Sequence, residues 1–211
     1  MSKSVQRRVK RVLDVVTALV VLTLAAPVIA VASLLIQIQL GAPVFFVQER
    51  CGWRKKPFKI MKLRTMSDER DADGNLLPDS IRCRGIGRVL RRLSIDELPQ
   101  LVNVIKGDLS LVGPRPLLTR YNAWYTERER RRFEVRPGIT GLAQISGRNG
   151  LPWNERLALD VRYVDEWSLW LDLRILVATI GKVSRANGVA LDPGAEMLDL
   201  DKERQLTCTP S

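Results

Sequence analysis

Two carboxylates stand side by side at Asp96 and Glu97, in the run Arg91-Arg92-Leu93-Ser94-Ile95-Asp96-Glu97-Leu98-Pro99. An adjacent acidic pair is a ligand set for a divalent cation such as Mg²⁺, which is bound by one or two carboxylates together with substrate phosphates. The run also reads as the plain start of a helix. Asp is a favoured N-cap, Glu suits a first turn, and Pro99 falls where a backbone donor would be unsatisfied anyway. The two readings are compatible, since a helix N-terminus favours both an ionised carboxylate and a bound phosphate. The chain contains no histidine, so the commonest general base is unavailable.

Further basic sites suit a phosphate. In "KIMKLRTM", Lys62 and Arg64 are two residues apart and share a strand face, while Lys59 points to the other. "GPRPL" clamps Arg115 between prolines, and "VRPGITGLAQISGRNG" carries Arg136 and Arg148 on a glycine-punctuated loop. Arginine on a stiff backbone suits a bidentate grip on phosphate oxygens. With the acidic pair, these residues describe a site for a nucleotide diphosphate. The formal charge of +11 likewise calls for anionic partners: phosphorylated small molecules, acidic lipid or nucleic acid. A membrane-tethered nucleic-acid binder is one alternative, but no helix-turn-helix, RRM or zinc signature supports it. A non-catalytic membrane-associated scaffold is another, and the intact acidic pair argues against it. Cys51, Cys83 and Cys208 lack CxxC spacing and read as reduced thiols.

The elements that must hold this site begin with an apolar run, "VLDVVTALVVLTLAAPVIAVASLLIQIQL", from Val12 to Leu40. As one straight helix it would extend roughly 43 Å at 1.5 Å per residue, beyond the ~30 Å of a hydrocarbon core. Lys3, Arg7, Arg8, Lys10 and Arg11 precede it, and Arg50, Arg54, Lys55, Lys56 and Lys59 follow it. A spanning helix normally leaves one flank poor in Lys and Arg. Pro27 divides the run into two arms of roughly 20 Å, too short to cross alone. A re-entrant hairpin fits both facts, and a single-pass anchor with a tolerated proline is the alternative.

Beyond it, "PVFFVQERCGW" and "KPFKIMKLRTM" alternate as a β-hairpin, and "SDERDADGNLLPD" reads as a solvated loop. "GIGRVLRRLS" and "ELPQLVNVIKGD" read as helices, the second stopped by Gly107. "TRYNAWYTERERRRF" reads as one charged helix, and the stretch from Asn154 to Gly188 as one or two amphipathic helices. Trp124, Tyr125, Trp153, Trp167 and Trp170 suit either a membrane interface or the core. The expected fold is α+β and mainly helical: a re-entrant membrane hairpin over 1–42, a small cytosolic catalytic domain over 43–189 with a β-hairpin and amphipathic interfacial helices, and a loosely ordered tail over 190–211.

"KIMKLRTM", "LSIDELPQLVNVIKGDLSLVGPRPL" and "RPGITGLAQISGRN" closely resemble the bacterial sugar transferases that act on polyprenyl phosphate, the monotopic phosphoglycosyl transferases. The resemblance extends to about Gly188 and is to the minimal form of the family. The loop 67–79 leans towards the members that initiate N-linked glycan assembly on diacetylated bacillosamine. The resemblance implies transfer of a sugar 1-phosphate from a UDP-sugar to undecaprenyl phosphate with release of UMP. It places the enzyme on the cytosolic face of the bacterial inner membrane, feeding downstream glycosyltransferases, with Mg²⁺ as cofactor. By motif position Asp96 would be the nucleophile and Glu97 its acidic partner, both able to meet the metal. Lys62, Arg91 and Arg115 match positions associated with phosphate binding; Arg148 and Asp160 match further family positions. An anionic nucleophile also explains how the chemistry proceeds without histidine.

Overall fold

The computed structural model of the protein describes residues 2–147, 150–184 and 198–207. The apolar run becomes α1 (Lys3–Leu40), one helix with Pro27 inside it. Asp14, Ala18, Ala32 and Ile36 are buried along it. Asp14 to Ala32 is eighteen residues, about five turns at 3.6 residues each, as is Ala18 to Ile36, so one stripe serves both halves. Ala18 and Leu22 pack with Ile60, Leu101, Val104 and Leu109. Ile29, Ala32 and Ile36 pack with Leu63 and Leu90. The globular part therefore lies along α1 and touches both halves of it.

Polar contacts tie down the N-terminal half. Ser110 Oγ donates to Asp14 Oδ2 at 2.7 Å, and Lys10 Nζ to Asp172 Oδ2 at 2.7 Å. An acid inside an apolar run is costly unless paired, and Asp14 faces the protein. On the other side of α1, Val20, Leu24, Val31, Leu34 and Ile38 are exposed. An apolar surface of that extent marks contact with a membrane or a partner.

The hairpin forms as the alternation requires. β1 (Phe45–Cys51) pairs antiparallel with β2 (Pro57–Leu63), from Phe45 opposite Leu63 to Cys51 opposite Pro57. β2 ends at Leu63, so the strand alternation does not carry Arg64 to the side of Lys62. Arg64 instead donates to the carbonyls of Leu40, Gly41 (2.6 Å) and Ala42 (3.2 Å). It satisfies carbonyls that the end of α1 would leave orphaned.

In the loop that follows, Asp71 Oδ1 accepts the N–H groups of Asp73 and Asn75, which builds an Asx turn. Three short helices come next: α2 (Asp79–Arg82), α3 (Ile86–Arg92) and α4 (Gln100–Lys106). Gly107, at φ 98°, terminates α4. Arg11 donates to the α4 carbonyls of Val104 (2.7 Å) and Ile105 (3.0 Å), so arginines finish both helices. β3 (Ser110–Val112) then pairs parallel with β4 (Gly138–Thr140).

Between β3 and β4 the structure differs from the expected single charged helix. Thr119–Ala123 and Glu129–Glu134 are separate 3₁₀ segments. The break has a local cause. Glu129 Oε2 accepts the Thr126 N–H at 2.8 Å, and Thr126 Oγ1 accepts the Glu129 N–H at 3.3 Å. That reciprocal capping box starts a new turn at Thr126.

α5 (Leu142–Ser146), α6 (Trp153–Glu166) and α7 (Leu169–Ser184) follow. Tyr125, Trp153 and Trp167 are buried, while Trp170 is 66% exposed. Trp170, Leu173, Val177 and Ile180 leave an apolar face of α7 open.

Within the tail, residues 198–207 include one more helix. α8 (Leu200–Thr207) buries Leu200 beside Tyr121 and Trp153, and Asp199 Oδ1 accepts the Tyr121 hydroxyl at 2.6 Å. A single apolar anchor with paired acids docks a segment whose composition alone looks solvated. Cys51 and Cys83 are free and buried, whereas Cys208 lies outside the described residues.

Candidate active site

The acidic pair sits where α3 gives way to α4. Gly87 lets α3 lie against the backbone after β2, since a Cβ there would come within 2.0 Å of the Thr65 carbonyl oxygen. The chain leaves α3 through Ser94, in the left-handed region at φ 56° and ψ 23°. A non-glycine residue there is strained, and such strain gathers at functional sites. Ile95–Glu97 then form one 3₁₀ turn, and α4 begins at Gln100. Neither Ser94 nor Pro99 makes a side-chain cap hydrogen bond. Asp96 lies inside the turn, so the simple helix-cap reading fails. Asp96 is 7% exposed, and its carboxylate accepts no hydrogen bond among the described residues.

Glu97 is held from two sides. Lys62 Nζ donates to its Oε1 at 2.7 Å and an Arg115 amino group to the same oxygen at 2.8 Å. β2 delivers Lys62 opposite Phe46. Arg115 follows β3, with its neighbours pinned: Gly113 N–H donates to Thr140 O and Gly138 N–H to Pro114 O, each at 2.9 Å.

This geometry divides the two carboxylates. Burial alone would raise the Glu97 pKa, but Arg115 and Lys62 outweigh it and hold the group well below the carboxylate range. Burial pushes Asp96 up to about 6, reinforced by Glu97 and opposed by Lys62, Arg91 and Arg115. Glu97 is thus a fixed anion, and Asp96 is ionised at neutral pH yet poorly solvated. Two adjacent acids with separated pKa values carry separate roles.

The remaining predicted residues fall into three groups. Arg91 donates from Nε to Thr65 Oγ1 at 2.8 Å and bears electrostatically on Asp96. Asp160 sits one layer back. It accepts Arg132 Nε at 3.1 Å and an Arg132 amino group at 2.7 Å, and the two side chains are 2% and 3% exposed. Arg132 also donates to the Arg115 carbonyl at 2.7 Å, so Asp160 reaches the site through Arg132. Arg136 is not brought to the acidic pair: it donates to Gly107 O at 3.0 Å and stands 4.7 Å from the Trp53 ring. Arg148 lies outside the described residues.

Sequence reasoning missed Arg132, Arg50 and Arg156. Burial and the nearby Arg115 lower the pKa of both Arg50 and Arg156, which marks a concentration of positive charge around Arg115. The Arg156 and Asp160 positions, four apart on α6, were a readable signal for part of this group. A surplus of guanidinium groups around two carboxylates matches a ligand with several negative charges.

The donor set also fits a hard cation such as Mg²⁺. Asp96 has no donor on either oxygen, and Glu97 uses only Oε1 for its two ion pairs. No group of three potential metal-binding side chains occurs among the described residues. Mg²⁺ needs no such cage when substrate phosphates complete its shell.

Comparison with known proteins identifies the family of the chain as a whole. A family model for bacterial sugar transferases matches residues 5–186. EpsL of Bacillus subtilis, an uncharacterised sugar transferase, is 53% identical over 180 residues, covering 85% of this chain and 89% of its own. The UDP-glucose:undecaprenyl-phosphate glucose-1-phosphate transferase of Caulobacter vibrioides is 43% identical over 181 residues, covering 81% and 68%. The exopolysaccharide production protein ExoY of Rhizobium meliloti is 38% identical over 196 residues, covering 85% and 87%. With nearly its whole length matched, the chain belongs to the bacterial sugar transferase family.

Proposed function

We propose that the protein transfers a sugar 1-phosphate from a UDP-sugar to undecaprenyl phosphate, through a phosphosugar ester of Asp96. The observation that carries this reading is the asymmetric pair: a buried Asp96 without hydrogen-bond donors beside a Glu97 fixed by Lys62 and Arg115. In the first step an Asp96 oxygen attacks the β-phosphorus, the bond to the bridging oxygen breaks, and UMP leaves with that oxygen. In the second, an oxygen of the lipid phosphate attacks the same phosphorus, and the Asp96 carboxylate departs unchanged. Both nucleophiles are already anions, so neither step requires a histidine.

Lys62, Arg91 and Arg115 supply positive charge where the phosphates would gather, and Glu97 orients Lys62 and Arg115 towards each other. Asp96 and Glu97 are the residues that would hold Mg²⁺, which when bound neutralises diphosphate charge that would otherwise repel a carboxylate. Asp160, through Arg132, fixes the Arg115 backbone.

The test uses a UDP-sugar labelled in the β-phosphate, without lipid acceptor. Label is expected on the protein and is expected to leave it when undecaprenyl phosphate is added; protein that stays unlabelled while turning over would overturn the intermediate. UDP-glucose, named in the Caulobacter relative, and UDP-diacetylbacillosamine, to which the 67–79 loop leans, are the first donors to compare.

The membrane arrangement follows from the same logic. A crossing helix would put its two halves in opposite halves of the bilayer, yet both halves of α1 pack on the same globular unit. With basic residues on both flanks, this favours entry and exit through one leaflet on the cytosolic face. The exposed faces of α1 and α7 would meet lipid, and the acceptor phosphate would stay within reach of Asp96. Single cysteines replacing Lys3 and Lys56 are both expected to react with an impermeant thiol reagent only from the cytosolic side. Reaction of either one from the periplasm would restore a spanning helix.

A further inference from the structure

Outside the Asp96 site, a cleft of about 480 Å³ opens where the start of α1 meets the hairpin turn and the 130–134 segment. Arg7, Arg54, Lys55 and Arg130 line it, together with Trp53 and Phe133; Glu134 is its sole acid. Arg130 also pairs with the exposed Glu127 at 3.5 Å, a solvent-screened contact, so four cations face one acid along the lining. None of these residues hydrogen-bonds or ion-pairs with Asp96 or Glu97, so the reaction proposed above does not account for them.

The cleft is built, not a chance grouping of surface charge. Arg54 and Lys55 both adopt positive φ, 54° and 61°, a conformation that costs about 1–3 kcal/mol each for such residues and persists only when the surroundings hold it. Trp53 is fixed by donating Nε1–H to the Glu134 carbonyl at 3.2 Å. The Arg54 guanidinium stands 4.6 Å from the Trp53 ring centre, and Lys55 Nζ 6.0 Å from that of Phe133. The wall thus offers cations above aromatic faces, which suits a phosphate diester attached to an apolar body.

Its position selects the source of that phosphate. Arg7 precedes Val12 and Leu13, which are exposed at 62% and 53%, by no more than ~9 Å of helix at 1.5 Å per residue. The headgroup layer on each side of a bilayer is roughly 5–8 Å deep. Once the apolar face of α1 is in lipid, the cleft opens among headgroups. We infer that it binds the headgroup of an anionic phospholipid, with the phosphodiester among Arg7, Arg54, Lys55 and Arg130 and the ester region against Trp53 and Phe133.

The test is a binding titration of the detergent-solubilised full chain with short-chain dihexanoyl phosphatidylglycerol, read as a thermal shift. Dihexanoyl phosphatidylcholine, glycerol 3-phosphate and inorganic phosphate serve as comparison ligands. The Arg54→Gln/Arg130→Gln double variant is expected to bind phosphatidylglycerol about 25-fold more weakly, roughly fivefold for each cation removed. Lys3→Gln/Arg8→Gln removes the same charge from exposed positions outside the cleft and is expected to leave binding unchanged. Equal weakening in that control would overturn the site in favour of diffuse surface charge. Equal binding of phosphatidylcholine would overturn the requirement for an anionic headgroup, and equal binding of inorganic phosphate would make it a free-phosphate site. The readout needs no turnover, so it stands or fails independently of the transfer reaction.

Discussion

Asp96→Asn is expected to abolish UMP release, by at least ~10³-fold, while making the folded protein more stable at neutral pH. The activity loss follows from removing the oxygen that would bond to phosphorus; an amide is isosteric but not nucleophilic. The stability gain follows from burial. An Asp whose folded pKa lies above its unfolded value of 3.8 binds its proton more tightly in the folded state. Its contribution to stability therefore declines as pH rises from about 4 to about 6, and the cost is fully present above that. A shift of that size corresponds to roughly 3 kcal/mol, which Asn would avoid. The variant should thus gain resistance to unfolding at pH 7.5 and little or none at pH 4. For the wild-type enzyme the same sign predicts that kcat/KM for the donor falls as pH drops through about 6 with a one-proton slope. UMP release across pH and denaturation midpoints at both pH values check the pair. A variant that still turned over would remove Asp96 as nucleophile. A variant less stable at pH 7.5 would show that Asp96 is paired by contacts that offset its burial.

Membrane association is expected to survive Asp96→Asn, and that separates an inactive enzyme from a misfolded one. The surface of α1 that faces away from the protein carries no contact with the 95–97 turn. An Asp96→Asn protein that failed to fractionate with membranes would point to lost structure.

The sequence makes the architecture legible where one periodicity dominates a segment. The apolar run gave α1, the two-residue alternation gave the β1–β2 hairpin, and Gly107 ended α4 at a positive φ. It misleads where a local hydrogen bond overrides composition. The charges from Thr119 to Phe133 are good helix formers, yet Thr126 and Glu129 divide the stretch by capping each other. The capping spacing was present in "TERE" but hidden by the surrounding charge. Arg64 shows the same limit at a strand end, where alternation lapses and orphan helix carbonyls compete for the side chain.

Asp96, Glu97, Lys62, Arg91 and Arg115 could be singled out from the sequence by their motifs, and the fold brings them together. What each does to the others could not be read from the sequence. Nothing in the spacing tells that Lys62 and Arg115 meet on one oxygen of Glu97, or that Asp96 is left without a donor. Arg132 was invisible for a different reason: it sits among like residues in "RERRR", and its partner lies 28 positions away. Only packing singles out the one arginine of that run that points inward.

That arginine supports the second large effect. Asp160→Asn should destabilise the protein by about 3–5 kcal/mol, because it leaves the Arg132 guanidinium buried without its counter-charge. Loss of folding would by itself say nothing of catalysis, so the informative variant removes both charges. Replacing Arg132 by Met and Asp160 by Leu exchanges the buried ion pair for apolar packing, a change that is often neutral or stabilising. Such a protein should fold and bind membranes, yet lack the hydrogen bond that holds the Arg115 carbonyl. Arg115 would keep its charge but lose its fixed position against Glu97. The expected signature is a raised KM for the UDP-sugar and a lowered kcat, with denaturation midpoints near those of wild type. Near-wild-type kinetics in a stable double variant would instead confine the Arg132–Asp160 pair to the core. The prolines on either side of Arg115 would then be sufficient to aim it.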